Sequence, residues 1–241
     1  MKYSRSLRCG SLTARSWIVN NVEDSLVTHV AINGASMHTH TLPAVESAIS
    51  AALAAIASPG SFFTGAERIA FAEHARAARG LGEVTSSLPP ILAEAVARVA
   101  ADAKSSRLAH VEAWEADGRE VLAYIELVSV VAQITGIDSY RFALGHELEP
   151  LPAPVPGGPV PIVDADAAKM NAWVPTVGVA LAPTALTALP NEKAAKKTLA
   201  SAWYIPDNVI HKYGEEPGLE LSRPQMELVA ARTSWLNECF F

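Results

Sequence analysis

The stretch Met226–Phe241, MELVAARTSWLNECFF, and the four residues before it, SRPQ, carry the most information in this chain. Ser222 and Gln225 have the spacing of a capping box, in which the hydroxyl accepts from the third amide and the third side chain reaches back to the cap amide. Apolar residues follow at helical spacing. The stretch therefore predicts a helix that begins at Ser222 and ends shortly before Cys239.

Glu227 and Cys239 are the two chemically interesting residues of this stretch, and they lie twelve residues apart. At about 100° per residue, one continuous helix would place their side chains on different faces. A break near Leu236–Asn237 is therefore needed for them to meet. Asn237 is an acceptable N-cap for a following helix, whose N-terminus would favour a thiolate. Taken singly, Glu227 is a solvated helix residue and Cys239 a small apolar side chain or an exposed thiol.

The Glu-x11-Cys spacing and the residues around it resemble the core of the AhpD-like alkylhydroperoxidases, in the carboxymuconolactone decarboxylase superfamily. The family pattern continues Cys-x-x-Cys-x-x-x-His, and this chain supplies only Glu227 and the first cysteine, Cys239. The resemblance implies that Cys239 is the resolving thiol and that Glu227 relays a proton. The attacking cysteine or selenocysteine would lie beyond Phe241.

By the same resemblance, the chain is expected to stop inside its second domain and to be inactive as it stands. A selenocysteine codon, a frameshift and a real stop all remain open as explanations. The helix that would carry Glu227 is then expected to expose an apolar stripe, which favours poor solubility or a homo-oligomer.

An earlier segment repeats part of the pattern. Thr64 and Glu67 form a second capping-box spacing that opens an amphipathic helix. Leu81 stands where a first cysteine would fall, and Val84 stands where a second would fall. The resemblance therefore implies a duplicated AhpD-like bundle whose first copy lacks the cysteine pair.

The fold class predicted from apolar periodicity is all-α. The predicted helices are Leu42–Ala57, Ala66–Arg79, Pro90–Ala103, Val111–Glu115, Glu120–Leu144, Lys169–Leu189, Ala194–Trp203 and Asn208–Tyr213, and Val27–Ile32 is the one candidate strand. The stretch Leu148–Pro161 holds six prolines and two glycines and cannot continue a helix.

Four regions follow from this pattern. Residues 1–41 are predicted to be a partly disordered N-terminal extension, and residues 42–147 an AhpD-like helical domain. Residues 148–164 are predicted to be a linker, and residues 165–241 an incomplete AhpD-like domain.

Composition narrows the function classes. The 241 residues are 50% hydrophobic and 18% charged, which is typical of a globular protein. A net charge of −6 argues against nucleic-acid binding. No long uninterrupted apolar run is present, so no membrane helix is predicted. Two cysteines, Cys9 and Cys239, exclude a disulfide-rich scaffold and fit a cytoplasmic protein. The basic start is interpreted as a disordered segment rather than a transit peptide.

The expected function is a thiol- or selenol-dependent hydroperoxide reductase with an external thiol donor and no bound cofactor. Its expected partners are a hydroperoxide, a reducing thiol or protein and further copies of the chain. A carboxymuconolactone decarboxylase-type enzyme and a redox-inactive oligomeric interaction protein are the alternatives. The pair His38 and His40 is interpreted as a surface turn rather than a metal site. The tryptophans at 114, 173, 203 and 235 are predicted to anchor a core or an interface.

Overall fold

The computed structural model describes residues 42–181, 184–206, 209–210, 212, 214–215 and 220–239. In these ranges the chain forms the helices α1 (Pro43–Ala57), α2 (Gly65–Ala78), α3 (Pro90–Asp102), α4 (Leu108–Ala116), α5 (Val121–Ala143), α6 (Pro190–Trp203) and α7 (Arg223–Leu236). A 3-10 turn, Ala103–Ser105, follows α3, and one isolated bridge joins Ala168 to Thr176. The all-α prediction is confirmed, and the predictions for Val27–Ile32, His38 and His40 fall outside the described residues.

Both predicted capping boxes are present. The Glu67 amide donates to Thr64 Oγ1 over 3.3 Å, and the Thr64 amide donates to Glu67 Oε2 over 2.8 Å. Ser222 and Gln225 make the same reciprocal pair at the start of α7. These caps satisfy amides that a helix start leaves without partners, and so the two helices, Gly65–Ala78 and Arg223–Leu236, begin within one residue of their predicted starts.

Helix α5 forms the centre of the bundle and packs against α1, α2, α3, α4 and α6. Its apolar side chains Leu127, Val130, Val131, Ile134 and Ile137 are completely buried. By length and composition it is also the one helix, among the described residues, that could cross a membrane, and 67% of its most apolar window is buried inside the protein. Core helices of soluble proteins meet the same criteria, so the absence of a membrane helix stays a prediction.

The predicted helix Lys169–Leu189 is wrong, because the described residues of this segment, 169–181 and 184–189, form turns and irregular backbone. Pro175 offers no amide to a helix, and Gly178 has a φ of +77°. The Thr184 hydroxyl accepts from the Leu181 amide over 2.9 Å and donates to backbone carbonyls. Such local bonds replace the helical ladder. The predicted helix Asn208–Tyr213 lies partly outside the described residues.

The proline-rich segment 148–164 is extended, as predicted, but it lies against the bundle as a strap. The Val155 amide donates to Ala57 O over 2.8 Å, and the Val160 amide donates to Gly60 O over 3.0 Å. Ser61 Oγ lies 3.2 Å from Ile162 O. The strap is therefore fixed to the loop between α1 and α2.

The core continues beyond the strap. Helix α6 packs against α1 and α5, and Leu189 and Leu199 are buried in the same apolar core as α5. The chain from residue 41 onward forms one compact unit. The described parts of regions 42–147 and 165–241 therefore share a core, and their relation as two copies of one bundle stays a prediction.

A buried ionic cluster joins α2, α5 and α6. Arg68 Nη1 lies 2.5 Å from Glu126 Oε1 and 2.8 Å from Glu192 Oε1, and all three side chains are almost fully buried. The Phe62 amide donates to Glu126 Oε2 over 2.8 Å. Burial raises the pKa of Glu126 against the opposing effect of Arg68. Burial also acts to lower the pKa of Arg68, but the two carboxylates outweigh it and the pKa is raised.

Gly60 leaves room for this cluster. A Cβ on Gly60 would lie 1.9 Å from Glu126 Oε1 and 2.5 Å from Arg68 Nη1, distances at which the ion pair must shift. Any side chain at this position would therefore push Glu126 and Arg68 apart. Both side chains are almost fully buried, so solvent would not compensate for the lost ion pair.

We expect Gly60→Ala to lower the free energy of unfolding by about 3 kcal/mol, since it overpacks the site and disturbs a buried charge pair. Urea unfolding monitored by circular dichroism measures the effect. Gly158→Ala is the matched control, because a Cβ there meets nothing within 4 Å. Equal midpoints for the two variants would contradict this account of the cluster.

Candidate functional site

Cys239 lies just past the end of α7, in the helix-ending arrangement called a Schellman motif. The Cys239 amide donates to Ser234 O over 2.9 Å, and the Glu238 amide donates to Trp235 O over 3.2 Å. Glu238 takes the left-handed conformation that this motif requires, with φ +53°. The predicted break after Leu236 is confirmed.

The predicted N-cap role of Asn237 is not what the described residues show. Asn237 is the C-cap of α7, and its Nδ2 donates back to Thr233 O over 2.9 Å. The side chain therefore closes the helix that precedes Cys239. A helix beginning after Cys239 would fall outside the described residues.

The Cys239 thiol lines an open cleft of about 760 Å³ between the end of α7 and the 3-10 turn after α3. The cleft is lined by Asp102, Ala103, Lys104, Ser105, Arg107, Asn237, Glu238 and Cys239. Lys104 Nζ lies 2.9 Å from Glu238 Oε1, and this hydrogen bond raises the pKa of the lysine. Cys239 is exposed and forms no disulfide. The site therefore combines an accessible thiol with two cationic side chains.

Glu227 has other partners. Tyr204 Oη donates to Glu227 Oε2 over 2.6 Å, and Arg223 Nε lies 3.6 Å from Glu227 Oε1. Glu227 does not line the cleft, and no hydrogen bond joins it to Cys239. The structure thus places Glu227 near the start of α7 and Cys239 just past its end, without direct contact.

Arg223 fixes the surroundings of Glu227. Its guanidinium donates to the carbonyls of Val209 (3.0 Å), Ile210 (2.6 Å) and Lys212 (3.0 Å). Burial, the hydrogen bond to Glu227 and its charge together raise the pKa of Tyr204 to about 12. Tyr204 therefore stays protonated and keeps its hydrogen bond to the carboxylate across the physiological range.

Two features were missed by the sequence interpretation. The first is the pair of cations in the cleft, Lys104 and Arg107, which come from the turn after α3 and are far from Cys239 in sequence. The local sequence of this turn does not indicate that it lines a cleft. The second is the buried cluster of Arg68, Glu126 and Glu192. The sequence gives one indication of it, because Glu126 lies inside the apolar run YIELVSVV of residues 124–131. Within the part of the chain that the structure describes, no group of three or more His, Cys, Asp or Glu residues is placed to hold a metal ion.

Comparisons with protein-family models, with curated proteins and with solved structures found no match for this chain.

We expect Glu227→Gln to lower the pKa of Tyr204 from about 12 toward the ordinary tyrosine value of about 10, because the charge of its acceptor is lost while its burial remains. Titration by carbon-13 NMR of labelled tyrosine rings measures this, with Tyr204→Phe assigning the resonance. The pKa of Tyr140, which burial and Glu46 raise, should not move. An unchanged Tyr204 titration would contradict the pairing with Glu227.

Proposed function

We propose that this chain serves thiol- or selenol-dependent reduction of hydroperoxides, with Cys239 as a redox-active thiol. The observation that carries the proposal is the exposed Cys239 on the wall of a cleft that also holds Lys104 and Arg107. Reactive cysteines are typically accessible and close to cationic groups, and here Lys104 and Arg107 share the cleft with the carboxylates of Asp102 and Glu238. The family resemblance of the sequence around Glu227 and Cys239 supports the same reaction class.

The charges of the cleft suit the reaction. When a thiolate attacks a hydroperoxide, the departing oxygen takes up negative charge, which nearby cations stabilise. Lys104 Nζ lies 2.9 Å from a carboxylate oxygen of Glu238, the residue before Cys239, so the ammonium lies in the same cleft as the thiol and is paired with that carboxylate. Arg107 Nη1 donates to Lys104 O and to Ser106 O over 2.7 Å each, which fixes the second cation.

The proposed reaction has three balanced steps. A thiol or selenol attacks ROOH, an S–O or Se–O bond forms as the O–O bond breaks, and ROH leaves with the proton. A second thiol condenses with the oxidised group to give a disulfide or selenenyl sulfide and water. Two external thiols then reduce this bond and become a disulfide. The resemblance gives Cys239 the second step, in which its thiol resolves the oxidised attacking residue.

Glu227 is proposed as the proton relay of this site. Its contact with Tyr204 holds one carboxylate oxygen, and the other lies near Arg223. In this structure about 14 Å of helix separates Glu227 from Leu236, and Cys239 lies beyond that end. One bridging water cannot span this distance, so the relay role requires the end of α7 to rearrange.

We expect Cys239 to form a sulfenic acid when the purified chain is treated with hydrogen peroxide or cumene hydroperoxide, because it is an exposed thiol beside cations. Dimedone labelling followed by peptide mass spectrometry measures the rate. Replacing both cations, Lys104→Gln with Arg107→Gln, should slow labelling severalfold, because the departing oxygen loses the cations that stabilise its charge.

Cys239→Ser should remove the label, and Cys9→Ser, as the matched control, should leave it unchanged. Labelling no faster than that of a free cysteine peptide, or equal rates with and without the two cations, would contradict the proposed role of the cleft.

The intact mass of the protein from its native source gives a second test. A mass larger than 25.5 kDa, with selenium or a further sulfur after Phe241, would support the reductase with Cys239 as resolving thiol. A mass of 25.5 kDa without peroxide consumption would favour the redox-inactive interaction protein.

One observation favours that second candidate, an oligomeric interaction protein. Helix α7 carries Leu228, Val229, Trp235 and Leu236, which are 59% to 75% exposed and share one face of the helix. Large exposed apolar patches mark interaction surfaces. We therefore propose that copies of the chain associate through this face of α7.

We expect Leu228→Glu with Trp235→Glu to convert an oligomer to a monomer at about 10 µM, since two buried charges would cost more than a typical dimer contact provides. Sedimentation velocity measures this. Ala194→Glu on the exposed side of α6 is the matched control and should leave the oligomer intact. A wild-type chain that sediments as a monomer would contradict the proposed association.

A further inference from the structure

The buried cluster of Arg68, Glu126 and Glu192 is unbalanced in charge. Arg68 carries one positive charge, whereas the two carboxylates carry two negative charges when both are ionised. The three side chains are 3%, 0% and 4% exposed, so water does not screen the excess negative charge. An unpaired charge in a protein interior is very unfavourable, and a buried carboxyl group then favours its protonated form.

The hydrogen bonds of the cluster also leave one carboxylate oxygen without a donor. Arg68 Nη1 is shared, because it lies 2.5 Å from Glu126 Oε1 and 2.8 Å from Glu192 Oε1. Glu126 Oε2 accepts from the Phe62 amide over 2.8 Å. Glu192 Oε2 is buried and makes no hydrogen bond with any residue that the structure describes. A negative charge on this oxygen has no stabilising donor, and binding a proton would remove the charge.

The surroundings of the cluster provide no second cation within the described part of the chain. The ion pairs that Glu126 and Glu192 make there are with Arg68 alone. Burial is the largest influence on the pKa of Glu126 and raises it, Arg68 lowers it, and the charge of Glu192 raises it again. The net effect is a raised pKa, which agrees with the excess of negative charge.

The other charged residues of the neighbouring elements pair with one another or face solvent. Asp164, at the end of the strap, accepts from the Asp166 amide over 3.0 Å. The ion pairs on the surrounding helices are Glu46 with Arg141, Asp138 with Arg76, and Glu94 with Arg98. The lysines of α6, at positions 193, 196 and 197, are exposed.

We propose that this cluster binds one proton, which Glu126 and Glu192 share, and that α6 docks most firmly while the proton is bound. With the proton, the cluster holds one positive and one negative charge and is neutral. Without it, an excess negative charge lies between α5 and α6, because Glu126 and Glu192 belong to these two helices. Loss of the proton therefore opposes the contact between α6 and the bundle.

Rising pH should weaken the cluster. The pKa of Glu126 lies above its ordinary value of 4.5 in the folded protein, so the folded chain keeps a proton that the unfolded chain has already lost. The stability that this proton contributes is complete below the ordinary value. It falls as the pH rises from that value through the raised pKa, and above the raised pKa it is lost.

The test is the urea-unfolding equilibrium of the full chain and of Glu192→Gln, measured from about pH 4 to about pH 8. Glutamine keeps an acceptor for Arg68 and carries no charge, so it imitates the protonated carboxyl group. We expect the unfolding constant of the wild type, divided by that of the variant, to rise by about tenfold per pH unit within the window and then to level off. A constant cost of the substitution shifts this ratio without changing its trend.

Two further variants separate a shared proton from other titrations. Glu126→Gln removes the other carboxyl group and should give the same trend, even if the altered contact with the Phe62 amide lowers its stability at every pH. Glu112→Gln, at an exposed position of α4, is the matched control and should keep the pH profile of the wild type.

Hydrogen exchange tests the effect on docking. At about pH 8, where the proton is lost, the amides of α6 should be less protected in the wild type than in Glu192→Gln. Comparison at a single pH removes the dependence of the intrinsic exchange rate on pH.

Four results would overturn the proposal: a ratio that does not change with pH, a ratio that falls as the pH rises, a Glu112→Gln variant that gives the same trend as Glu192→Gln, or equal protection of α6 in the two chains. None of these readouts involves Cys239, so the proposed peroxide chemistry and the proton site are tested separately.

Discussion

The fold depends on the ion pairs of Arg68, whose guanidinium is buried away from water. A buried guanidinium must be paired on several sides, because an isolated charge in the interior is very costly. Glu126 on α5 and Glu192 on α6 provide these partners, each at 2.8 Å or less. These ion pairs therefore favour the arrangement in which the three helices bring all three charges together. A better apolar fit in another register would leave a charge without its partner.

Helix positions were largely predictable because they are determined by local chemistry. The capping residues Thr64 and Ser222 and the prolines at helix starts act within a few residues of themselves, so their effect can be read from the sequence. The segment 169–189 was mispredicted because the hydroxyls of Thr184 and Thr187 bind nearby backbone, which an apolar pattern does not reveal. Which helices meet could not be predicted, since the pairing of α1 with α6 depends on contacts far apart in sequence.

In the candidate site, too, local features could be predicted from the sequence and long-range contacts could not. The end of α7 before Cys239 follows from local sequence, and the Schellman motif is built from residues 234–239 alone. The partners of Cys239 in its cleft come from the turn after α3, and the partner of Glu227 is Tyr204. Such long-range neighbours determine what a thiol or a carboxylate can do. Sequence spacing could nominate these residues, and only the fold shows which side chains surround them.

The pairing of the first helix with a late one also bears on how the protein is made. During synthesis α1 leaves the ribosome early, yet the α6 surface against which it packs follows only after the strap of residues 148–164. Arg68 likewise emerges long before Glu192. Contacts so distant in sequence form slowly, since a long loop must close first. The nascent chain therefore carries an apolar helix covered only by α2 and α5, and a half-paired charge, until α6 emerges, and chaperone binding during that interval would protect it from aggregation.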